Sequence, residues 1–215
     1  MKRVVSVWFA SFSIDRLSRH APHAVPAEQA FALVATGARG IAITAVNAVA
    51  RRHGIAPGLA LADARAAHPA LATRAAEPAH DRAALAGLAG WAGRYGPARN
   101  VDGDDGLWID ATGVAHLYGG EAALLADLVG RLARAGYAAH AAIADTLGAA
   151  HALARFAERR ASPGRTTCAP PGATRAALAG LPVAALRLDA DAVVLLQRLG
   201  LRRIGQLYDL PRAAL

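Results

Sequence analysis

The sequence predicts a mixed α/β (α+β) chain in which strands and helices share one sheet domain and the last quarter is helical. Three observations carry that expectation. The chain opens on "RVVSVWFASF", a short β-branched and aromatic run of the kind that forms a buried strand. From Trp91 onward the pattern runs helix, strand, helix, strand, helix, the order of an α/β sheet domain. After the break "ASPGRTTCAPPG" only short helical patterns remain.

In order, "AFALVA" and "GIAITA" read as two strands around a Gly-containing turn, followed by a helix through "NAVARRHG" that Gly54 is placed to end. Pro57 and Gly58 make a turn, and a short helix around Asp63 stops before Pro69. Leu85, Leu88 and Trp91 recur at helical spacing in an amphipathic helix that Pro97 closes. "GLWIDATG" is a strand, and Leu124, Leu125, Leu128 and Leu132 share one side of the next helix. "AAHAAIAD" gives another strand and "LGAAHALARFAERR" another helix. The stretch holding Pro163, Gly164, Pro170, Pro171 and Gly172 reads as a linker or irregular connection. The final segment predicts short helices with a hairpin at "LGLRRIGQL", and the chain is expected to continue beyond Leu215.

Length allows one large domain or two small ones. No run reaches the roughly 18 apolar residues that a spanning helix needs, and the N-terminal basic and apolar stretch has no small-residue cleavage site. Cys168 is the only cysteine, so an intramolecular disulfide or a cysteine-rich zinc site is excluded. A cytoplasmic chain without a membrane partner is expected. The formal net charge of +8 favours a polyanionic partner, nucleic acid above all. A bias of an Ala-, Arg- and Gly-rich chain would give the same surplus, since Lys2 is the only lysine.

At the C-terminal hairpin one helix is expected to end at Gly200 and a second to begin near Ile204 and Gly205. Glycine amides at such a turn can approach a phosphate, and Arg202 and Arg203 lie beside it, which suits sequence-independent contact with a DNA backbone. A plain helical hairpin with a Gly cap has the same spacing. The eight histidines show no paired metal-ligand spacing, and no Walker or dinucleotide fingerprint is present. Trp8, Trp91 and Trp108 sit in apolar patterns and are expected in the core.

Three segments in order, "VVSVWFAS", "GIAITAVNAVARRHGIAPGLALADARAAHP" and "GLWIDATGVAHLYGGE", resemble the Y-family of translesion DNA polymerases, and most closely its ImuB-type members. "AVARRHGIAPGL" is similar to the family's fingers motif, roughly Y-E-A-R-K-x-G-V-x-x-G-M. "GDDGLWIDAT" is similar to its palm motif, roughly S-x-D-E-x-x-L-D-x-T. The resemblance implies a palm over residues 1–12 and 76–162, fingers over 13–75, the start of a helix-hairpin-helix thumb over 163–215, and a little finger beyond.

Family chemistry uses two metal ions held by carboxylates of the first strand and the palm motif. Aligning "WFAS" on the family's aromatic pair places Val4 and Ser6 at the two acidic first-strand positions, and residues 1–14 contain no Asp or Glu. In the palm motif Asp105 matches the Asp, Gly106 takes the place of the Glu, and Asp110 matches a later Asp of structural role. One carboxylate does not hold two Mg²⁺ ions, so Val4, Ser6, Asp105 and Gly106 read as vestigial positions, with no catalytic residue, metal or cofactor expected. Asp104 would supply a ligand only by turning to the other strand face.

Arg51 matches the fingers Arg assigned to triphosphate contact, Ala48 stands in place of the family's Tyr, and Arg52 is a further phosphate-binding candidate. A palm-side Lys would fall near His151, with Arg155 at a second basic position. The expected function is a non-catalytic adaptor in SOS-type, DNA-damage-induced translesion synthesis and mutagenesis. It would sit on primer–template DNA and join a sliding clamp, an error-prone replicative-type polymerase and a RecA-like accessory protein. DNA contact is expected from Gly200, Arg202, Arg203 and Gly205. The alternatives are an active translesion polymerase with an altered, Mg²⁺-dependent site and a helix-hairpin-helix DNA-binding module without polymerase ancestry.

Overall fold

The computed structural model describes residues 2–38, 40–157 and 164–210. The opening run forms β1 (Val4–Phe9), the middle strand of a five-stranded sheet. Its near-continuous burial explains why its sequence is apolar on both faces rather than alternating. With β2 (Phe31–Gly37), β3 (Gly40–Val46), β4 (Ala72–Ala75), β5 (Arg99–Val101), β6 (Gly106–Asp110), β7 (Ala139–Ala144) and β8 (Thr166–Cys168), the large sheet runs β5-β6-β1-β7-β8. β1 is antiparallel to β6 and β7, and β8 is parallel to β7.

On one face, Val5, Val7 and Phe9 pack with Leu107, Ile109 and Ile143 against α4 (Pro78–Trp91) and α5 (Glu121–Arg134). The expected leucine stripe of α5 is fully buried there. On the other face lies α6 (Leu147–Phe156), whose alanines bring it close to Ala142 and Ala144. Thr146 caps it by accepting from the Ala149 amide at 3.2 Å.

The second sheet, β3-β2-β4, carries α2 (Ala48–Arg52) and α3 (Leu61–Ala67) on one core cluster, and α1 (Phe12–His20) packs Ile14 and Leu17 on Phe31 and Leu33. The buried Arg16 of α1 ties this part to α4, pairing with Asp81 and with Glu77 at 2.9 Å. A second buried guanidinium, Arg3, binds Glu121 and Asp145, both at 2.6 Å, and fastens β1 to α5 and to the end of β7.

The last part comprises α7 (Thr174–Leu178), a 3-10 turn at Val183–Leu186, α8 (Ala190–Arg198) and a 3-10 turn at Ile204–Leu207. Three expectations change. The stretch read as an irregular connection contains β8, because Ala141 and Ala169 amides and the β7 edge give those three residues a ladder to join. The second element of the hairpin is one 3-10 turn rather than an α-helix through the described residues. Trp8, Trp91 and Trp108 are half-buried, not fully in the core. Among the described residues no helix is long and apolar enough to cross a membrane.

Candidate functional site

Where β1 ends and α1 begins, a cleft of about 710 Å³ opens toward α2 and α6, with Trp8, Ser11, Asp15, Arg51, His140 and Arg155 among its lining. Arg51 is placed by the buried Asn47 before it. The Asn47 side chain accepts from the Ala50 amide at 2.8 Å and the Phe31 amide at 3.1 Å, and donates to the Gln29 carbonyl at 2.8 Å. With both ends of its amide engaged, Asn47 fixes the start of α2. Arg51 then reaches across the cleft and donates to Ser11 Oγ at 2.8 Å. Ala48 lines the cleft beside it, whereas Arg52 is exposed and is not part of the lining. On the α1 side burial, offset in part by the Ala138 amide and Arg51, pushes the Asp15 carboxyl up to about 6.

Asp105 sits in the turn just before β6, where its carbonyl accepts from the Phe9 amide at 2.9 Å. Arg155 grips its carboxylate with two bonds, Nη1 to Oδ2 at 2.8 Å and Nη2 to Oδ1 at 2.5 Å. The Trp8 indole N–H donates to the same Oδ2 at 3.0 Å. The guanidinium lies 5.6 Å from the Trp8 ring centroid, and that ring stacks on His140 at 5.5 Å.

Gly106 is buried, and a Cβ added there would lie 2.9 Å from the Asp102 carbonyl oxygen, 3.1 Å from that of Val7 and 3.3 Å from Arg155 Nη2. Asp102, also buried, pairs with Arg187 at 2.9 Å. One helical turn before Arg155, burial, with Arg155 and Arg187 nearby, pulls the His151 imidazole down from 6.5 to about 4, so it is neutral near pH 7. Asp104 is exposed at the turn. Asp110 Oδ1 accepts from the Thr112 amide at 3.1 Å and fixes the exit from β6.

The structure does not bring the sequence-derived positions together. Val4 lies opposite Asp110 and Ser6 opposite Trp108, while Trp8 lies opposite Gly106. The first-strand side chain that meets Asp105 is therefore Trp8, because the antiparallel register of β1 sets it beside the start of β6. Trp8 and the Arg155 pairing are the parts that sequence reasoning missed. The signal available for Trp8 was its place at the end of the strand.

At the C-terminal hairpin, the amides expected to receive a phosphate already have partners. Gly205 N–H donates to Ala179 O at 2.9 Å, and Gly200 N–H to Gln197 O at 3.1 Å. Those of Arg202 and Arg203 donate to Gln206 Oε1 at 2.9 and 2.8 Å. Gly205 allows close packing, since a Cβ would meet Ala179 O at 3.0 Å. The Arg202 and Arg203 side chains remain exposed on this surface.

The impB/mucB/samB family matches residues 7–155. Protein ImuB of Caulobacter vibrioides, from strain NA1000 / CB15N and from strain ATCC 19089 / CIP 103742 / CB 15, is 57% identical over 162 residues, covering 75% of this chain and 34% of the relative. The chain thus spans about a third of the length of these curated relatives. Among solved structures, the insertion ternary complex of Dbh DNA polymerase superposes with a TM-score of 0.80 at 14% identity, covering 99% of this chain and 62% of the other. DinB from Sulfolobus solfataricus gives 0.78 at 13% identity, covering 99% and 61%. At such identities the structural likeness shows the fold alone. Through the family match and the ImuB identity, the chain belongs to the impB/mucB/samB family of Y-family DNA polymerases, as an ImuB-type member.

Proposed function

We propose that this chain is a non-catalytic, polymerase-like adaptor that holds primer–template DNA during damage-induced translesion synthesis and mutagenesis in the cytoplasm. The observation that carries this reading is the state of Asp105, whose two oxygens already accept three N–H donors from Arg155 and Trp8. The Mg²⁺ ions used by polymerases of this fold need several oxygen ligands in near-octahedral array. The residues at this edge do not fit them: Gly106 offers no carboxylate, and the facing first-strand side chain is an indole. No chemical step is derived through a metal.

In this reading the five-stranded sheet is the palm, residues 13–75 the fingers and the C-terminal helices the start of a thumb. On the same reading β8 extends the palm past residue 162, into the span 163–215 that the resemblance gives to the thumb. Arg202 and Arg203 contact phosphates through their side chains, and Arg51 offers a further cation in the cleft. As an adaptor the protein would recruit a sliding clamp, an error-prone replicative-type polymerase and a RecA-like accessory protein.

Binding of the full-length protein to primer–template, followed by fluorescence anisotropy across salt concentrations and unrelated sequences, tests the DNA contact. Affinity should fall steeply with salt and change little with sequence. Salt-independent binding, or none at low salt, would refute it.

A further inference from the structure

We propose that the Arg155 guanidinium stands at this edge where a polymerase of the same fold holds a divalent cation, so that the chain supplies its own fixed positive charge to Asp105. The inference rests on the reading of the edge as non-catalytic and says what replaced the metals. Removal of carboxylates alone would leave Asp105 a solvated anion open to any cation. Instead, both oxygens are claimed by the two parallel bonds of a bidentate guanidinium pair, at 2.8 and 2.5 Å.

One face of the cation is covered as well. Arg155 projects from α6, its side chain is only 18% exposed, and its guanidinium lies over Trp8, which is itself stacked on His140. Trp8 also donates to Oδ2 at 3.0 Å, so one residue supports both members of the pair.

Space and charge fit the same replacement. A side chain at position 106 would run into two backbone carbonyls and Arg155 Nη2, so the pocket has closed around a glycine. Nearby charges are matched, with Asp105 against Arg155 and the buried Asp102 against Arg187, and His151 adds none near pH 7. Asp105 and Asp102 thus each face a guanidinium, and the one further carboxylate at this turn, Asp104, is exposed to solvent, short of the several oxygen ligands a divalent ion needs. Among the described residues, no group of three or more His, Cys, Asp or Glu side chains converges to hold a metal, at this edge or elsewhere.

The test uses the full-length protein labelled with ¹⁵N-tryptophan, the Trp8 indole signal being assigned by its loss in Trp8→Phe. Mn²⁺ is added to millimolar concentration. Because the indole proton is bonded to the Asp105 carboxylate, a Mn²⁺ ion on that carboxylate would broaden its signal away. The unaltered chain should keep the signal, and Arg155→Met should lose it at the same Mn²⁺ concentration. Broadening in the unaltered chain would overturn the proposal, as would an unbroadened signal in an Arg155→Met chain that is folded by circular dichroism. If that variant does not fold, the titration of the unaltered chain still decides. Mn²⁺ broadening in a chain that extends no primer sinks only this inference, whereas primer extension sinks the non-catalytic reading beneath it.

Discussion

Replacing His151 by Gln should reduce the stability that the chain loses between pH 7 and pH 5. In the folded chain, burial first and the nearby Arg155 and Arg187 second lower this imidazole from 6.5 to about 4. The unfolded chain therefore takes up the proton first. The contribution of neutral His151 is fully present above about pH 6.5 and is lost as pH falls toward 4, amounting to about 2 kcal/mol between pH 7 and pH 5. Asp15 works in the opposite sense: burial raises it from 3.8 to about 6, so the folded chain binds that proton first and gains about 1 kcal/mol by pH 5. The net change in the unaltered chain is thus small. The difference between it and His151→Gln isolates the imidazole, since Asp15 is common to both. Urea unfolding at the two pH values reads that difference. Parallel losses in the two chains would refute the reasoning.

Other perturbations probe the remaining parts. Arg202→Ala and Arg203→Ala should each weaken DNA binding to a similar degree on all sequences and reduce the salt slope by about 1, read by anisotropy. Sequence-selective effects would contradict a phosphate contact. Gly205→Ala should destabilise the hairpin by about 1–3 kcal/mol, because its Cβ meets the Ala179 backbone, and speed amide exchange at Ile204 and Gly205. Unchanged exchange would remove the packing argument. Arg3→Met leaves the Glu121 and Asp145 carboxylates without their shared cation and should cost about 3–5 kcal/mol in chemical denaturation. A loss below about 1 kcal/mol, the scale of an exposed pair, would contradict its role.

Much of the fold is legible in the sequence because the strongest elements have matching local and global signals. The apolar run of β1 is legible from its shortness and its β-branched and aromatic residues, and the leucine stripe of α5 from its period. β4, β5 and β8 are three or four residues long, and each exists because a neighbouring strand offers unpaired backbone groups. Nothing local marks such strands. The site follows the same division. Asp105 and Gly106 stand out through the palm motif, but the partner of Asp105 depends on strand register, and counting back from the aromatic pair points to Val4 and Ser6 where the antiparallel pairing of β1 with β6 places Trp8. Arg155 lies 50 residues from Asp105, a pairing that only tertiary structure creates. At the C-terminal hairpin the glycine spacing suggests a phosphate cradle, whereas Gly205 serves the close approach of two backbones.

The central claim is that the chain binds primer–template without performing nucleotide transfer. Primer extension by the full-length protein, at low salt and excess protein with dNTPs and Mg²⁺ or Mn²⁺, tests it most directly when DNA binding is recorded in the same tubes. Binding without incorporation is the expected result. Incorporation that disappears in Asp105→Ala would contradict it, by showing that Asp105 leaves Arg155 to hold a metal after all.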